Sequence, residues 1–472
     1  MRARSVLGVF VLSQLGLSAA GAPARAEEGM RLEGIVDEGL HALVLRSRRR
    51  TDEHRVHVAA QLGGGGFVGP WAEGYRPIHV GLELGFGLHE APNRTLAVAS
   101  DTKLYYGVNQ AQWADTRPLD LSGRHRLRGV WGWPAVERSS RAGHPFVDLE
   151  LEGRFDHASR FDTTFLRKEL GADAFRDAHV TGKLTPMVGV GKGAALGLSL
   201  SSTLGQLAWE SRDQGFTEGS QTRLGARAAL SFVPREREIS RGSIDLGAVT
   251  VERTWVTPAP ASPLAPVLGR KTVDRLEVRG FDAHLYGMVD RSVRLWLSAS
   301  GGGALLHDRE AARERFVLVG HLGAQIAGDL GRGDELRLGI YGGRTGFAMP
   351  DGSALAAKVR TEVVVEVTAG EGRFGLSGRS VVEHLEIDAG EKPRDLGLSM
   401  GNSTDLWVRL AGEGGRRREN RPRLVLGARG SVSSRCFASA SPMSLDELCM
   451  EAGGYLRAVL DVAKEQLGRS SE

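Results

Sequence analysis

The sequence predicts an all-β protein, a large antiparallel up-and-down β-barrel of about eighteen strands with a short N-terminal helix ahead of it. Three observations carry that expectation. From residue 55 onward apolar residues fall at every second position, in segment after segment. The links between segments alternate between long and short. Glycine is abundant, at 64 of 472 residues, and beyond residue 26 no apolar run reaches the ~18 residues of a membrane-spanning helix.

The N-terminus reads as an export signal. Arg2 and Arg4 precede a mostly apolar stretch, Ser5 to Leu17, and Ala24-Arg25-Ala26 offers a small-x-small cleavage site. Residues 1–26 are therefore a signal peptide, with the mature chain starting at Glu27. Arg2, Arg4 and Arg25 are the only charges in that segment. Without them, 58 of the 61 basic residues remain against 57 acidic ones, so the net charge falls from +4 to +1. Charge so nearly balanced gives no footprint of nucleic-acid binding.

Residues 27–54 form a lead-in segment. Within it Leu32, Ile35, Val36, Leu40, Leu43 and Val44 make a helical apolar stripe. Arg46, Arg48, Arg49 and Arg50 follow at the C-terminal end, where positive charge suits the helix dipole. A helix packed under the domain and a plug or docking helix both fit this stripe.

Alternation then takes over. In Arg76–Leu88, Ile78, Val80, Leu82, Leu84, Phe86 and Leu88 share one face, and His79, Gly81, Glu83, Gly85 and Gly87 share the other. Leu224–Phe232 alternates with Arg223–Ser231, Phe281–Leu285 with Asp282–Tyr286, and Val293–Leu297 with Arg294–Ser298. The phase changes near Ala248, which signals a bulge. Short links follow residues 88, 189, 289, 330 and 368; long ones are expected at 63–75, 109–125, 156–178, 256–272, 301–313, 343–355 and 383–403.

Seventeen strands fit before residue 434. The next link, about 435–453, holds a capping-box pattern at Ser444–Glu447 and ends at Gly453-Gly454. Beyond it, Leu456, Ala458, Leu460 and Val462 fit a last strand. A helix over 444–467 competes, but two adjacent glycines inside it cost ~2 kcal/mol. An even strand number decides for the strand.

On this pattern the region 55–463 resembles integral outer-membrane β-barrel proteins of porin-like size, with 464–472 as a tail. No specific family motif carries the resemblance. It implies an apolar face toward lipid, a polar lumen, a location in the outer membrane and a non-enzymatic role. Membrane lipid is the implied surrounding, and residues 27–54 are placed to meet a periplasmic or envelope protein. Three features depart from the pattern: aromatics make up only 6% of the chain, Tyr is scarce at six, and the sequence does not end in an aromatic strand terminus. Trp131 and Trp133 near a short turn, and Trp209 and Trp255 beside long loops, fit the two interfaces.

No catalytic, cofactor or metal site is expected. Gly397-Leu398-Ser399-Met400-Gly401 matches a nucleophile elbow but lacks the following helix. Gly64–Gly69 matches a dinucleotide fingerprint, but Pro70 and Trp71 replace the helix, so it reads as a flexible loop. Arg332-Gly333-Asp334 is explained by a tight turn. Cys436 and Cys449 are the only cysteines and, in an oxidising compartment, most simply form one disulfide. The lumen-facing residues expected to set the interior chemistry are His79, Glu83, Arg223, Arg227, Arg294, Arg337, Arg360, Glu362 and Arg409.

The resulting expectation is a pore or export and uptake conduit for polar solutes or polymers. A structural barrel that anchors an envelope-spanning or surface machine is the alternative. A lipid-modifying barrel enzyme and a soluble secreted β-protein rank lower.

Overall fold

A computed structural model describes residues 53–68, 77–91, 94–107, 119–133, 143–158, 174–191, 194–211, 217–233, 240–257, 271–288, 292–331, 334–348, 355–388, 393–412, 422–433 and 449–465. The export signal, the 30–50 helix, Ser444–Glu447 and Cys436 fall outside the described residues, and so does the side chain of Cys449.

Eighteen strands run in chain order: β1 (Glu53–Val68), β2 (Pro77–Ala91), β3 (Arg94–Gly107), β4 (Leu119–Trp133), β5 (Pro145–Ala158), β6 (Ala174–Gly191), β7 (Ala194–Ser211), β8 (Thr217–Val233) and β9 (Ser240–Thr257), then β10 (Lys271–Met288), β11 (Val293–Asp308), β12 (Arg313–Gly331), β13 (Asp334–Ala348), β14 (Leu355–Ala369), β15 (Phe374–Asp388), β16 (Pro393–Ala411), β17 (Pro422–Ser433) and β18 (Cys449–Glu465). Each pairs antiparallel with its sequence neighbours, and β1 pairs with β18, which closes the sheet into an up-and-down barrel. A closed sheet leaves no unpaired edge. Because eighteen is even, β1 begins and β18 ends at the same rim, the turn end; the opposite rim is the loop end.

The two faces separate cleanly. On β2, Ile78, Val80, Leu82, Leu84 and Phe86 are exposed on the outer wall. On β12, Phe316, Leu318, Leu322, Ile326 and Leu330 do the same. The inner face carries the buried charges, among them Arg223, Arg227, Asp245, Asp282, Arg360 and Glu362. The period of two dictates this: every side chain points opposite to its neighbour, so one strand serves both media.

On β10 the outer apolar row runs from Leu276 to Leu285, and Asp274 caps it at the loop end. Nine residue steps at ~3.3 Å and a tilt of ~40° give roughly 23 Å of height, close to the ~25 Å apolar band of a membrane barrel. Just above that band Asp274 is clasped by Arg253 at 2.7 Å and Arg309 at 2.5 Å, an ion-pair triplet on the outer surface.

Several sequence expectations need correction. The loop expected at 63–75 begins later, because Gly64–Gly66 continue β1 and pair with Gly454, Gly453 and Ala452 of β18. The glycine pair expected to break the chain at 453–454 therefore lies inside the closing strand. A Cβ at Gly453 would stand 2.8 Å from Gly64 O, so the seam depends on glycine for its close approach. The long link expected at 301–313 shrinks to 309–312, and that expected at 383–403 to 389–392. The link expected at 210–220 likewise shrinks to 212–216, so the alternation of long and short links fails at three places on the loop end. Glycine erases the side-chain pattern without weakening the backbone ladder, which needs only N–H and C=O groups. The phase change near Ala248 is present, at Gly247, which has φ of 58°.

Candidate functional site

The inner wall carries clusters of ion pairs on β8–β10 and on β14–β15, with Ser300, His321 and Tyr341 between them. Its centre is set by two bulges side by side. Gly247 of β9 and Gly280 of β10 both fall between the Ala248↔Arg279 and Leu246↔Phe281 pairs, so the β9–β10 register is the same on either side, while it shifts by one between β8 and β9 and between β10 and β11. Each strand resumes with its phase switched. Arg279 and Asp282, three residues apart, consequently both point inward.

A row of directly opposed residues crosses the wall at this level. Asp245 faces Asp282 across β9–β10, Asp282 faces Ser300 across β10–β11, and Ser300 faces His321 across β11–β12. Two fully buried carboxylates opposite each other repel unless compensated. Arg227 supplies the compensation, donating to Asp245 Oδ2 at 2.7 Å and Asp282 Oδ2 at 3.3 Å. Ser231 donates to the other oxygen of Asp245 at 2.5 Å. Arg279 donates to Asp282 Oδ2 at 3.1 Å and to Ser300 Oγ at 3.2 Å, and is ion-paired with Glu277, which also holds Arg275. Removing one member of a buried pair costs ~3–5 kcal/mol, because it strands the partner's charge. The network therefore fixes the wall as well as its polarity.

The small residues in this row matter. A Cβ at Gly302 would meet Val278 O at 2.1 Å, and one at Gly320 would meet Ser300 O at 2.4 Å. Glycine lets β10, β11 and β12 close up here. Beside Ser300, the ligand atoms of Asp282, His284 and His321 converge. His284 and His321 stand 5.6 Å apart by ring centroids, and His321 stacks on Tyr341 at 5.8 Å.

The nine sequence-expected lumen residues lie as follows. His79 meets Gln61 Nε2 at 3.0 Å, and Glu83 is ion-paired with Arg457 across β1. Arg223 pairs with Glu252 at 2.8 Å. Arg227 is the bridge just described. Arg294 pairs with Glu335 at 2.6 Å and lies over Trp296. Arg337 pairs with Glu366 at 2.8 Å. Arg360 and Glu362 pair with each other at 2.8 Å, with Arg379 on the far oxygen of Glu362 at 2.5 Å. Arg409 donates to Glu371 O at 3.3 Å. Of the nine, Arg360 and Glu362 meet directly and Arg294 and Arg337 share Glu335; the others are seen with residues outside the nine. The central group, Asp282, His284 and His321, was visible only as polar-face residues. Arg275-Glu277-Arg279, alternating in sign along one strand, is a sequence signal that could have pointed to it.

At the loop end the wall folds over. β12 and β13 stay paired only as far as Gly320↔Arg344, while β13 continues along β14 to Ala348↔Leu355. The freed tip of the β13–β14 hairpin leans inward. A Cβ at Gly346 would lie 3.1 Å from Val317 and 3.2 Å from Leu306, both inner-wall residues. Val273, Ala304, Leu306, Val317 and Val319 form the apolar bed, and Leu355 and Ala357 of the hairpin rest on it. Arg315 ties the tip down, donating to Leu355 O at 3.1 Å and to Glu386 O at 3.3 Å.

These features define a class: a closed antiparallel barrel with an apolar belt outside, an ionic interior and an infolded hairpin at one mouth. Among solved structures, the chain is similar to OccK11 (OpdR) of Pseudomonas aeruginosa, at 12% identity and a TM-score of 0.35, over 89% of this chain and 99% of that one. It is also similar to the FrpB iron transporter of Neisseria meningitidis, at 9% identity and a TM-score of 0.36, over 89% and 82%. A third is a variant of the ferric enterobactin receptor PfeA of Pseudomonas aeruginosa, at 10% and 0.35, over 86% and 80%. At these scores the strand count and register of the chain itself carry the description. No family model matches the sequence, and no curated protein matches it.

Proposed function

We propose that the protein is an integral outer-membrane barrel that forms a conduit for polar solutes. The observation that carries this reading is the division of its faces: the exposed outer wall is apolar over roughly the height of a membrane, while the inner wall holds buried ion pairs from β8 to β15. A soluble barrel would place these faces the other way round. Eighteen strands at ~4.8 Å spacing and a tilt of ~40° enclose a ring roughly 35 Å across, too wide for side chains to fill. The infolded β13–β14 tip narrows that bore at the loop end. The charges flanking the bore nearly balance, so the reading commits to polar solutes of no fixed sign. Passive conduction needs no catalytic group, in keeping with a non-enzymatic role.

The test is conductance in planar bilayers, after a heat-dependent shift in electrophoretic mobility has shown the barrel to be folded. Discrete conductance steps are expected from the full chain or from a chain lacking residues 27–50. Silence from both folded proteins overturns the conduit and leaves a structural barrel.

A further inference from the structure

We propose that Asp282, His284 and His321 form a binding site for a divalent transition-metal ion on the inner wall, between β10 and β12. Each residue offers one ligand atom, and these atoms lie within 4.8 Å of one another. A tetrahedral ion with bonds of ~2.0–2.1 Å separates its ligand atoms by roughly 3.3 Å, so modest side-chain rotations close the set around an ion.

The hydrogen bonding divides each residue into a committed and an uncommitted half. Asp282 gives Oδ2 to Arg279 and Arg227, at 3.1 and 3.3 Å. Its Oδ1 is buried and makes no hydrogen bond. His284 is buried, yet neither ring nitrogen makes a hydrogen bond. Its Nε2 stands 3.0 Å from Asp282 Oδ1, an ion pair when the ring is protonated. His321 uses Nδ1 against Ser300 Oγ at 2.7 Å. When Nδ1 donates to Ser300, the lone pair sits on Nε2. An outer hydrogen bond of this kind fixes the tautomer and ring orientation of a metal-ligating histidine.

Asp282 Oδ1 and His284 Nε2 face each other and His284 Nδ1 makes no hydrogen bond, although an unsatisfied buried polar atom costs ~1–3 kcal/mol, so this gathering of lone pairs needs a cause. An ion accepting all three lone pairs supplies it. The surrounding charge permits this: Arg275, Arg279 and Arg227 are matched by Glu277, Asp245 and Asp282. Two imidazoles and one carboxylate suit zinc and its first-row neighbours better than calcium or magnesium, which prefer all-oxygen shells. Three protein ligands leave a fourth position toward the lumen, where water or a passing solute completes the shell. The outward pair His125 and His157, with Nε2 atoms 3.4 Å apart and the His125 ring stacked on Phe155, lies on the other face of the wall and serves as the control.

The experiment uses the full chain, purified without a polyhistidine tag in detergent, stripped with chelator and titrated with Zn2+ by calorimetry. One ion per chain is expected. His284→Ala and His321→Ala should each weaken binding at least ~100-fold, and Ser300→Ala ~10- to 100-fold. His157→Ala should leave it unchanged. Heat-dependent mobility establishes that each variant is folded. Where a variant fails that check, Co2+ added to the parent protein gives a direct reading, since ligation by imidazole and carboxylate produces visible absorption that Zn2+ then displaces. Failure of the parent to bind Zn2+ saturably below ~1 mM overturns the proposal. So does binding that survives in a folded His284→Ala/His321→Ala protein, and so does a colourless, Zn2+-insensitive Co2+ titration. None of these outcomes depends on whether the barrel conducts.

Discussion

Replacing Leu82 with arginine distinguishes a lipid-facing wall from a water-facing one. Leu82 is the middle member of the exposed row Ile78, Val80, Leu82, Leu84 and Phe86 on β2. Eight residue steps at ~3.3 Å, tilted by ~40°, give the row roughly 20 Å of height. Leu82 therefore sits about 10 Å from either end, near the midplane of a ~25 Å apolar band. Arginine there costs ~2–4 kcal/mol in lipid, a roughly 30- to 1,000-fold loss in the folding equilibrium. In water the same change costs little. Leu82 is already 47% exposed, and surface substitutions usually fall within about 0.5 kcal/mol. The assay is reversible urea unfolding of the parent and Leu82→Arg proteins in lipid vesicles, followed by tryptophan fluorescence and by heat-dependent mobility. If Leu82→Arg folds as well as the parent, within about 0.5 kcal/mol, the outer face does not meet lipid and the orientation is wrong.

Four further outcomes are expected. Arg227→Met should cost ~3–5 kcal/mol in the same unfolding assay, because Asp245 and Asp282 lose their shared cation. Gly302→Ala should destabilise by ~1–3 kcal/mol, since its Cβ would press on Val278 O, whereas Gly378→Ala, with nothing within 4 Å, should stay within about 0.5 kcal/mol. Arg315→Ala should raise single-channel conductance by releasing the β13–β14 tip; unchanged conductance would mean that this tip does not limit flow. Finally, reduction should slow migration of the unfolded chain in a non-reducing gel, as expected of a Cys436–Cys449 bridge, and a Cys436→Ser protein should lose that difference.

Much of the wall was legible because its information is local. The Ile78–Phe86 row needs nothing but its own residues to declare a strand and assign its faces. The even count that turned 455–463 into a closing strand was legible too, since an odd barrel would end at the wrong rim. Strand ends were less so. Gly64–Gly66 and Gly301–Gly303 carry no side-chain pattern, so they read as loops although their backbones remain in the ladder.

The sequence by itself determined the period, the approximate strand number and which residues turn away from the apolar face. Each of these follows from the alternation of side chains along a single strand. Only the tertiary structure decided which inward residues meet. Asp245, Asp282, Ser300 and His321 lie far apart in the chain and become neighbours through cross-strand register. Bulges at Gly247 and Gly280 shift that register between β8 and β9 and between β10 and β11. The inward lean of the β13–β14 tip likewise depends on where β12 stops pairing, at Gly320↔Arg344. A bulge moves every later residue of a strand to the other face and changes its partners. The chemistry of the interior is therefore a property of the assembled wall rather than of any one strand.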